Sequence, residues 1–398
     1  MPVSLRTHIY IGNNVKLKCM GGENSLTIVS PGRINLIGEH VDYNDGFVLP
    51  AAIEQHIQFK ICKNGTSNKA IVRSKGFEGV LEINLKAITP RPAGWENYLL
   101  GVINEMQQLT DGISGFDCEI QSFLPVGSGV SSSAALECGF AYAINELFDL
   151  GLDRWQIVKL SQRAEHNYVG TKCGIMDQFA SVMGKKGFAM LLDCKSLEFD
   201  YVPANFDPYV LLLLNSNVTH DLATGAYNKR RQQCEDGLSF LVSKYGIAPS
   251  FRNVTLDMLT DSKSQLDATV FNRCSYVVEE IARVQMAKTL LKENKLKAFG
   301  ELMYKTHEGL SDKYEVSCKE LDFLVDLAKR ENAVLGSRIM GGGFGGCTIN
   351  LIHKDSVNLF IAKAAAAYKK EFGIELNAFE TQPSNGTTLI KENHEVGL

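Results

Sequence analysis

Leu124-Pro125-Val126-Gly127-Ser128-Gly129-Val130-Ser131-Ser132-Ser133-Ala134-Ala135 is a glycine- and serine-rich turn that runs straight into a helical pattern. Glycine lets backbone approach a ligand closely and adopts positive φ without a Cβ penalty. Serine side chains suit the unpaired N–H groups of a helix's first turn. Ala135, Cys138, Ala141 and Leu147 continue at helical spacing, with Phe140, Ile144 and Phe148 on a neighbouring stripe. The turn therefore aims free N–H groups and the positive end of a helix dipole at whatever lies over it, and an anion is the natural guest. A phosphate carried by a nucleotide leads the candidates. A tight turn with an ordinary serine N-cap has the same local pattern, so other parts of the chain must decide.

Composition bounds the answer. At 398 residues the chain exceeds the usual size of one compact core, so two domains are expected. A hydrophobic share of 45% with 22% charged residues is that of a globular protein and excludes disorder. The net charge of −4 gives no electrostatic reason to expect a nucleic acid or membrane partner. The ten cysteines are scattered, with the closest pair, Cys118 and Cys138, twenty positions apart. Without a C-x-x-C they read as buried, reduced thiols, not as a zinc ribbon or a redox motif. No apolar segment follows Met1-Pro2-Val3-Ser4-Leu5-Arg6, and the longest apolar run, 209–214, is too short to span a bilayer. A soluble, cytoplasmic monomer is expected.

Along the chain, residues 26–29 read as a strand ending at Ser30-Pro31-Gly32, and 47–53 as a second strand after the Asn44-Asp45-Gly46 turn. Alternation at 58–62, 70–74 and 80–85 makes the first third rich in strands. Helical patterns occupy 98–109, 132–150 and 154–168, the last with Asp153 as N-cap and Gly170 just beyond its end. The run 209–214 reads as a fully buried strand, and helices are expected at 227–244, 277–293, 297–310 and 320–332. Residues 338–352 return to strand character around a glycine cluster, whereas 249–269 gives no clear signal. These elements predict an α+β first domain over 1–205, a boundary near 200–208, and a helix-richer α+β second domain over 206–398. A cleft between them is the expected ligand site.

Three further clusters carry chemistry. Gly32-Arg33-Ile34-Asn35-Leu36-Ile37-Gly38-Glu39-His40-Val41-Asp42-Tyr43 crowds two acids, a histidine, an arginine, an asparagine and a tyrosine beside a strand end. That density supplies the donors and acceptors that a polyhydroxylated molecule requires. In Gly170-Thr171-Lys172-Cys173-Gly174-Ile175-Met176-Asp177-Gln178-Phe179, Asp177 stands among apolar neighbours. Desolvation raises a carboxyl's pKa and a nearby arginine lowers it, the combination that tunes a general base; an N-cap role is the plain alternative. Glu165 falls in a helix's last turn, against the dipole. That placement invites a divalent cation, or leaves Glu165 an exposed neighbour of Ser161. Met340-Gly341-Gly342-Gly343-Phe344-Gly345-Gly346-Cys347 satisfies G-x-G-x-x-G but leads into a strand, which is the wrong order for a dinucleotide fingerprint. Its five glycines in six residues suggest backbone lying close to a ligand or to another loop. Tyr227, opening the basic turn Lys229-Arg230-Arg231, offers a phenol to a sugar hydroxyl or to the core. No G-x-x-x-x-G-K-[ST] occurs, so the phosphate site must draw positive charge from a helix end, an arginine and a metal.

These motifs together resemble a known family. Residues 32–43 are similar to the signature of the galactokinases, and 125–135 and 338–347 to the nucleotide-binding and third motifs of the wider GHMP small-molecule kinase superfamily. Cys173-Gly174-Ile175-Met176-Asp177-Gln178 and Tyr227-Asn228-Lys229-Arg230-Arg231 also match, so the likeness covers about 28–352 in order. The resemblance implies a two-domain α+β GHMP kinase fold, with a ribosomal protein S5 domain 2-like N-terminal domain, a ferredoxin-like C-terminal domain and an active site in the interdomain cleft. It implies ATP and Mg²⁺, and D-galactose as the sugar phosphorylated in the Leloir pathway. Carried over by position, Asp177 is the catalytic base and Arg33 stabilises the transferring phosphoryl group. Glu39, His40, Val41, Asp42, Gly174, Asp177 and Tyr227 bind the sugar. Pro125, Val126, Gly127, Ser128, Gly129, Val130, Ser131, Ser132 and Ser133 cradle ATP, with Ser74 near the adenine, and Ser133 and Glu165 hold Mg²⁺. A kinase for N-acetylgalactosamine or arabinose, and a sugar sensor of the same fold without catalysis, remain alternatives.

Overall fold

The computed structural model describes residues 25–75, 79–219 and 223–390. The N-terminal stretch read for a leader lies outside the described residues. The first half of the chain runs β1 (Leu26–Asn35), β2 (Phe47–Val48), β3 (Pro50–Lys63), β4 (Lys69–Ser74), β5 (Leu81–Asn84), α1 (Glu96–Gln107), β6 (Phe116–Ser122), α2 (Ser132–Phe148), α3 (Arg154–Ala164), α4 (Met176–Met183), β7 (Phe188–Asp193) and β8 (Phe199–Pro203). The second half runs β9 (Tyr209–Thr219), α5 (Ala223–Tyr245), α6 (Leu256–Ser262), α7 (Ala268–Lys292), α8 (Leu296–Glu308), α9 (Lys319–Lys329), β10 (Val334–Ile339), β11 (Gly345–His353), α10 (Val357–Phe372), β12 (Asn377–Thr381) and β13 (Thr388–Ile390). The fold is α+β, as the sequence predicts.

A six-stranded sheet has the order β13-β1-β3-β6-β4-β5 and is antiparallel except where β4 lies beside β6. The other two sheets are β10-β11-β9-β12 and β2-β7-β8. Helices α1 to α4 pack on one another, with α2 and α4 directly against β1 and β3. Strand β9 shows why an unbroken apolar run was needed. Leu211 and Leu213 enter the large core, whereas Leu212 and Leu214 join a second core with α9 and α10. With period-2 alternation, both faces of this strand are dry.

Several boundaries differ from expectation. β1 does not stop at Ser30-Pro31-Gly32 but continues to Asn35, its register on β3 shifting between Pro31 and Arg33. A bulge accepts the proline and glycine that otherwise read as a turn. Likewise β9 runs past Asn215 to Thr219, and the third helix gives way at Glu165 to a π-helical turn, Glu165–Val169. Asp153 caps α3 with a reciprocal Gln156 bond, and Gly170 ends the turn in the left-handed region. Helices α4 and α10 and strands β6, β7, β8, β12 and β13 occupy stretches with no assigned element, and 249–269 contains α6.

Among the described residues eight cysteines carry free thiols, but Cys62 is disulfide-bonded, contrary to the expectation of uniformly reduced thiols. Among the described residues no helix is long and apolar enough to cross a membrane.

Gly139 fixes how closely α2 approaches the sheet. A Cβ there would lie 2.2 Å from the Phe59 ring and 2.6 Å from Ser30 Cβ. Gly139→Val should therefore lower the melting temperature by several degrees, since overpacking costs about 1–3 kcal/mol. Calorimetry that shows an unchanged melting temperature would contradict this packing.

Candidate active site

The bulge in β1 is where the site begins. A Cβ on Gly32 would fall 2.8 Å from both Leu124 Cδ2 and the Val130 carbonyl oxygen, so glycine lets the serine-rich loop lie against the strand. Arg33 N donates to Val130 O at 3.0 Å and locks that approach. The Arg33 guanidinium then meets Asp177 bidentately, Nε to Oδ1 at 2.7 Å and Nη2 to Oδ2 at 3.0 Å, while Nη1 reaches Gly129 O at 2.7 Å. Burial works against the charge on Arg33; Asp177, with Glu39 and Asp42 beyond it, outweighs that and holds the guanidinium above its ordinary range.

Asp177 is not an N-cap. It is the second residue of α4, whose cap is Ile175 without a side-chain bond. A third donor completes its surroundings: Ser131 Oγ donates to Oδ2 at 2.5 Å. Ser131 sits at the head of α2 in the left-handed region (φ 57°) and makes no side-chain cap. The alternative of an ordinary serine N-cap is thus ruled out at this position. Its hydroxyl is committed to Asp177, so the first turn's donors remain open to an anion. Ser128 closes the preceding turn by donating to Pro125 O at 2.7 Å. Gly127 and Gly129 have φ of 65° and 68°. Val126 is 94% exposed at the loop's tip, and Val130 is buried. Ser74 ends β4 opposite Ile120, a little upstream of the loop.

Asp177 lines a small cavity. Arg33, Glu39, His40, Asp42, Gly174 and Asp177 share its walls with Tyr227, Gly341 and Gly342 from the second half of the chain. Of the expected sugar set only Val41 is absent: it is fully buried and its carbonyl accepts from Gly46 N at 2.8 Å. Glu39 is 1% exposed, and its Oε1 accepts from Arg338 Nη1 at 3.0 Å and from Gly341 N at 2.9 Å. Arg338 also donates to Leu36 O at 3.0 Å and to Asn35 O, so one buried arginine ties the glycine hairpin to the signature segment. Sequence reasoning gave Arg338 no role. Its signal is a lone arginine inside a buried strand, which demands a buried acceptor.

Gly174 faces Asp42 so closely that a Cβ would sit 1.9 Å from Oδ2. Burial, with Asp177 and Glu39 nearby, pushes the Asp42 carboxyl up to about 7. The glycine cluster answers the question left open by its pattern, because it lies against another loop. A Cβ on Gly341 would be 3.1 Å from Gly129 O, and one on Gly346 would be 3.7 Å from Gly129 Cα.

Glu165 is buried, which removes its reading as an exposed neighbour of Ser161. Gln178 Nε2 bridges it at 2.9 Å to Glu137 at 3.3 Å. Glu137 lies one turn beyond Ser133 on the same face of α2. Burial, and then the Asp177 charge, raises Glu165 to about 7, and burial raises Glu137 as well. Glu137 Oε1 and Gln178 Oε1 are buried without a partner. Such orphaned acceptors beside a paired carboxylate fit a divalent cation. No group of three or more His, Cys, Asp or Glu side chains arranged for a metal occurs among the described residues.

Comparison with known proteins agrees with this geometry. The galactokinase galactose-binding signature matches residues 18–61, the GHMP kinases N-terminal domain 97–185 and the GHMP kinases C-terminal domain 287–370. A galactokinase of Thermosipho africanus is 40% identical over 366 residues, which cover 92% of this chain and 100% of that protein. The crystal structure of Lactococcus lactis galactokinase complexed with galactose has a TM-score of 0.89 at 32% identity, covering 92% of this chain and 95% of that one. The mevalonate kinase of Methanococcus jannaschii, 19% identical with a TM-score of 0.62 over 92% of this chain and 100% of that one, shares the fold. The architecture and the paired glycine loops are those of a GHMP kinase. Within that class, the chain belongs to the galactokinase family.

The raised Asp42 pKa has a measurable sign. A carboxyl that binds its proton more tightly folded than unfolded contributes stability below its unfolded pKa, and that contribution is lost as pH rises through about 7. The melting temperature of Asp42→Asn should therefore fall less than that of the unsubstituted protein between roughly pH 5 and pH 8. Parallel curves would remove Asp42 as a source of the pH dependence.

Proposed function

We propose that the protein transfers the γ-phosphoryl group of ATP to the anomeric hydroxyl of D-galactose, giving galactose 1-phosphate. The observation that carries this reading is Asp177, clamped by Arg33 and Ser131 at the junction of a small polar cavity and an open helix N-terminus. A carboxylate has about four lone-pair sites. Oδ2 takes two of its donors and Oδ1 one, so Oδ1 is the oxygen left to accept the sugar's hydroxyl proton. Glu39, Asp42 and Tyr227 present acceptors and a phenol to the remaining hydroxyls, and Gly174 leaves room for Asp42. Neutral Asp42 would donate and ionised Asp42 accept, so its raised pKa lets it serve either partner.

The loop from 125 to 133 receives the ATP phosphates on backbone N–H groups and the α2 dipole. Arg33 retains N–H groups beyond those given to Asp177 and Gly129, and these serve the transferring phosphoryl oxygens. Ser133 and Glu165 would hold Mg²⁺, which supplies charge neutralisation at the phosphates when bound. Phosphoryl transfer asks for positioning and charge, and both are supplied by groups already fixed. The expected division near residue 205 serves as the boundary between two lobes that bring these groups together, with β13 returning to the sheet of the first lobe. Free thiols elsewhere suit the cytoplasm, where ATP is abundant, although Cys62 departs from them.

An ADP-release assay with Mg-ATP and galactose, beside N-acetylgalactosamine, arabinose and a no-sugar blank, tests the assignment. Galactose should give the highest kcat/KM; ADP release indifferent to the sugar would overturn it. Asp177→Ala should lose about 10²–10⁴-fold in turnover while ATP still binds, as measured by nucleotide titration. Near-normal turnover would dismiss the base. Glu165→Gln should raise the Mg²⁺ concentration for half-maximal rate by at least roughly tenfold, and an unaltered Mg²⁺ titration would take it out of the metal site.

A further inference from the structure

His40 lines the cavity, yet neither ring nitrogen is available to a ligand. Nε2 is 3.1 Å from Gly342 O, and Nδ1 is 2.7 Å from Tyr43 Oη. Tyr43 Oη is 3.0 Å from Tyr314 Oη, which lies 3.1 Å from Cys234 Sγ. The imidazole, the two phenols and the thiol carry one proton apiece and the Gly342 carbonyl none, so the polarity of the whole chain follows from that end. A carbonyl only accepts, so Nε2 carries the proton toward Gly342. Burial pushes His40 down to about 4, so the ring is neutral and Nδ1 is an acceptor. Tyr43 must then donate to Nδ1, Tyr314 to Tyr43, and Cys234 to Tyr314. Burial keeps both phenols and the thiol protonated.

The same ring is a packing element. Its centroid lies 5.3 Å from Tyr227 and 4.9 Å from Tyr314, and Tyr43 meets Tyr227 edge-on at 5.3 Å. A Cβ on Gly342 would touch the Tyr227 ring at 3.6 Å. At residue 40 the backbone is left-handed (φ 59°), and His40 O accepts from Asn44 Nδ2 at 2.8 Å. Backbone and side chain are therefore both pinned, and the glycine hairpin and Tyr227 rest on the imidazole.

We propose that Tyr43, Tyr314 and Cys234 are positioning residues of this site: they hold His40 in its Nε2–H tautomer, and His40 supports the Gly342–Tyr227 wall of the sugar pocket without itself hydrogen-bonding the sugar. The proposal deepens the sugar-kinase reading and rests on it for what the wall encloses. If Tyr43 loses its hydroxyl, Nδ1 becomes an orphaned buried acceptor. The other tautomer then becomes accessible, and it would set an Nε2 lone pair against the Gly342 carbonyl. The wall must move, and the nucleotide loop need not.

Nitrogen-15 NMR of the histidine side chains, with His40 assigned by its loss in His40→Gln, reads the tautomer without sugar or turnover. The expected spectrum has Nε2 protonated and Nδ1 bare in the unsubstituted protein, with that preference weakened in Tyr43→Phe. Steady-state kinetics of Tyr43→Phe should show KM for galactose raised roughly tenfold, the effect of one orphaned buried acceptor, with kcat and KM for ATP nearly unchanged. Cys234→Ala should move in the same direction, whereas Cys234→Ser, which restores a donor, should stay near the parent. A protonated Nδ1, or a Tyr43→Phe variant with unchanged tautomer and unchanged galactose KM, overturns the proposal. A failure of the sugar-kinase reading would appear elsewhere, as absent galactose turnover in the unsubstituted protein.

Discussion

The molecule is organised around buried negative charge. Glu39, Asp42, Asp177, Glu165 and Glu137 act on one another electrostatically in one largely dry region. Ionised carboxylates are costly to bury unless paired. Two arginines pair them: Arg33 from β1 holds Asp177, and Arg338 from β10 holds Glu39. The second pairing joins residues three hundred positions apart, so neutralising Glu39 and docking the glycine hairpin on the signature segment are a single event. Where no arginine reaches, burial raises the carboxyls of Asp42, Glu165 and Glu137.

That constraint explains why two glycine-rich loops meet where they do. Arg33 can reach Asp177 only because the β1 bulge turns it inward and Gly32 lets the serine-rich loop close over the strand. Gly129 is the point of contact: its carbonyl takes Arg33 Nη1, and its backbone lies against Gly341 and Gly346. A site without a phosphate-binding lysine thus gathers positive potential from an arginine and a helix end. Diverting the Ser131 hydroxyl to Asp177 has two effects: it fixes the carboxylate proposed above as the base, and it leaves the first N–H groups of α2 without a side-chain cap.

Much of this was legible in the chain. The turn of 124–135 that runs into a helix, the polar density of 32–43 and the isolation of Asp177 all follow from residue types and short spacings. The structure brings those segments together as expected. Less was legible where a local signal had two meanings. Pro31-Gly32 marks a turn in most contexts, and here it marks a bulge inside a strand. Asp177 looks like a cap and is not one. Val41 sits among cavity-lining neighbours, yet its side chain is buried in the core, because adjacent residues of a tight turn face different ways. His40 has the chemistry of a sugar ligand, but both its nitrogens are already taken.

Sequence alone determined the inventory: which glycine- and serine-rich turn leads into a helix, which strand would be buried on both faces, and which carboxylates would need company. Those are properties of periodicity and side-chain chemistry, which act over a few residues. Only the tertiary structure decided the pairings. Arg338 with Glu39, Ser131 with Asp177, Glu137 with Glu165 through Gln178, and Cys234 with His40 through two phenols all join distant segments. Their geometry is set by how the sheets and helices pack, and no local pattern records which of several buried donors will reach a given acceptor.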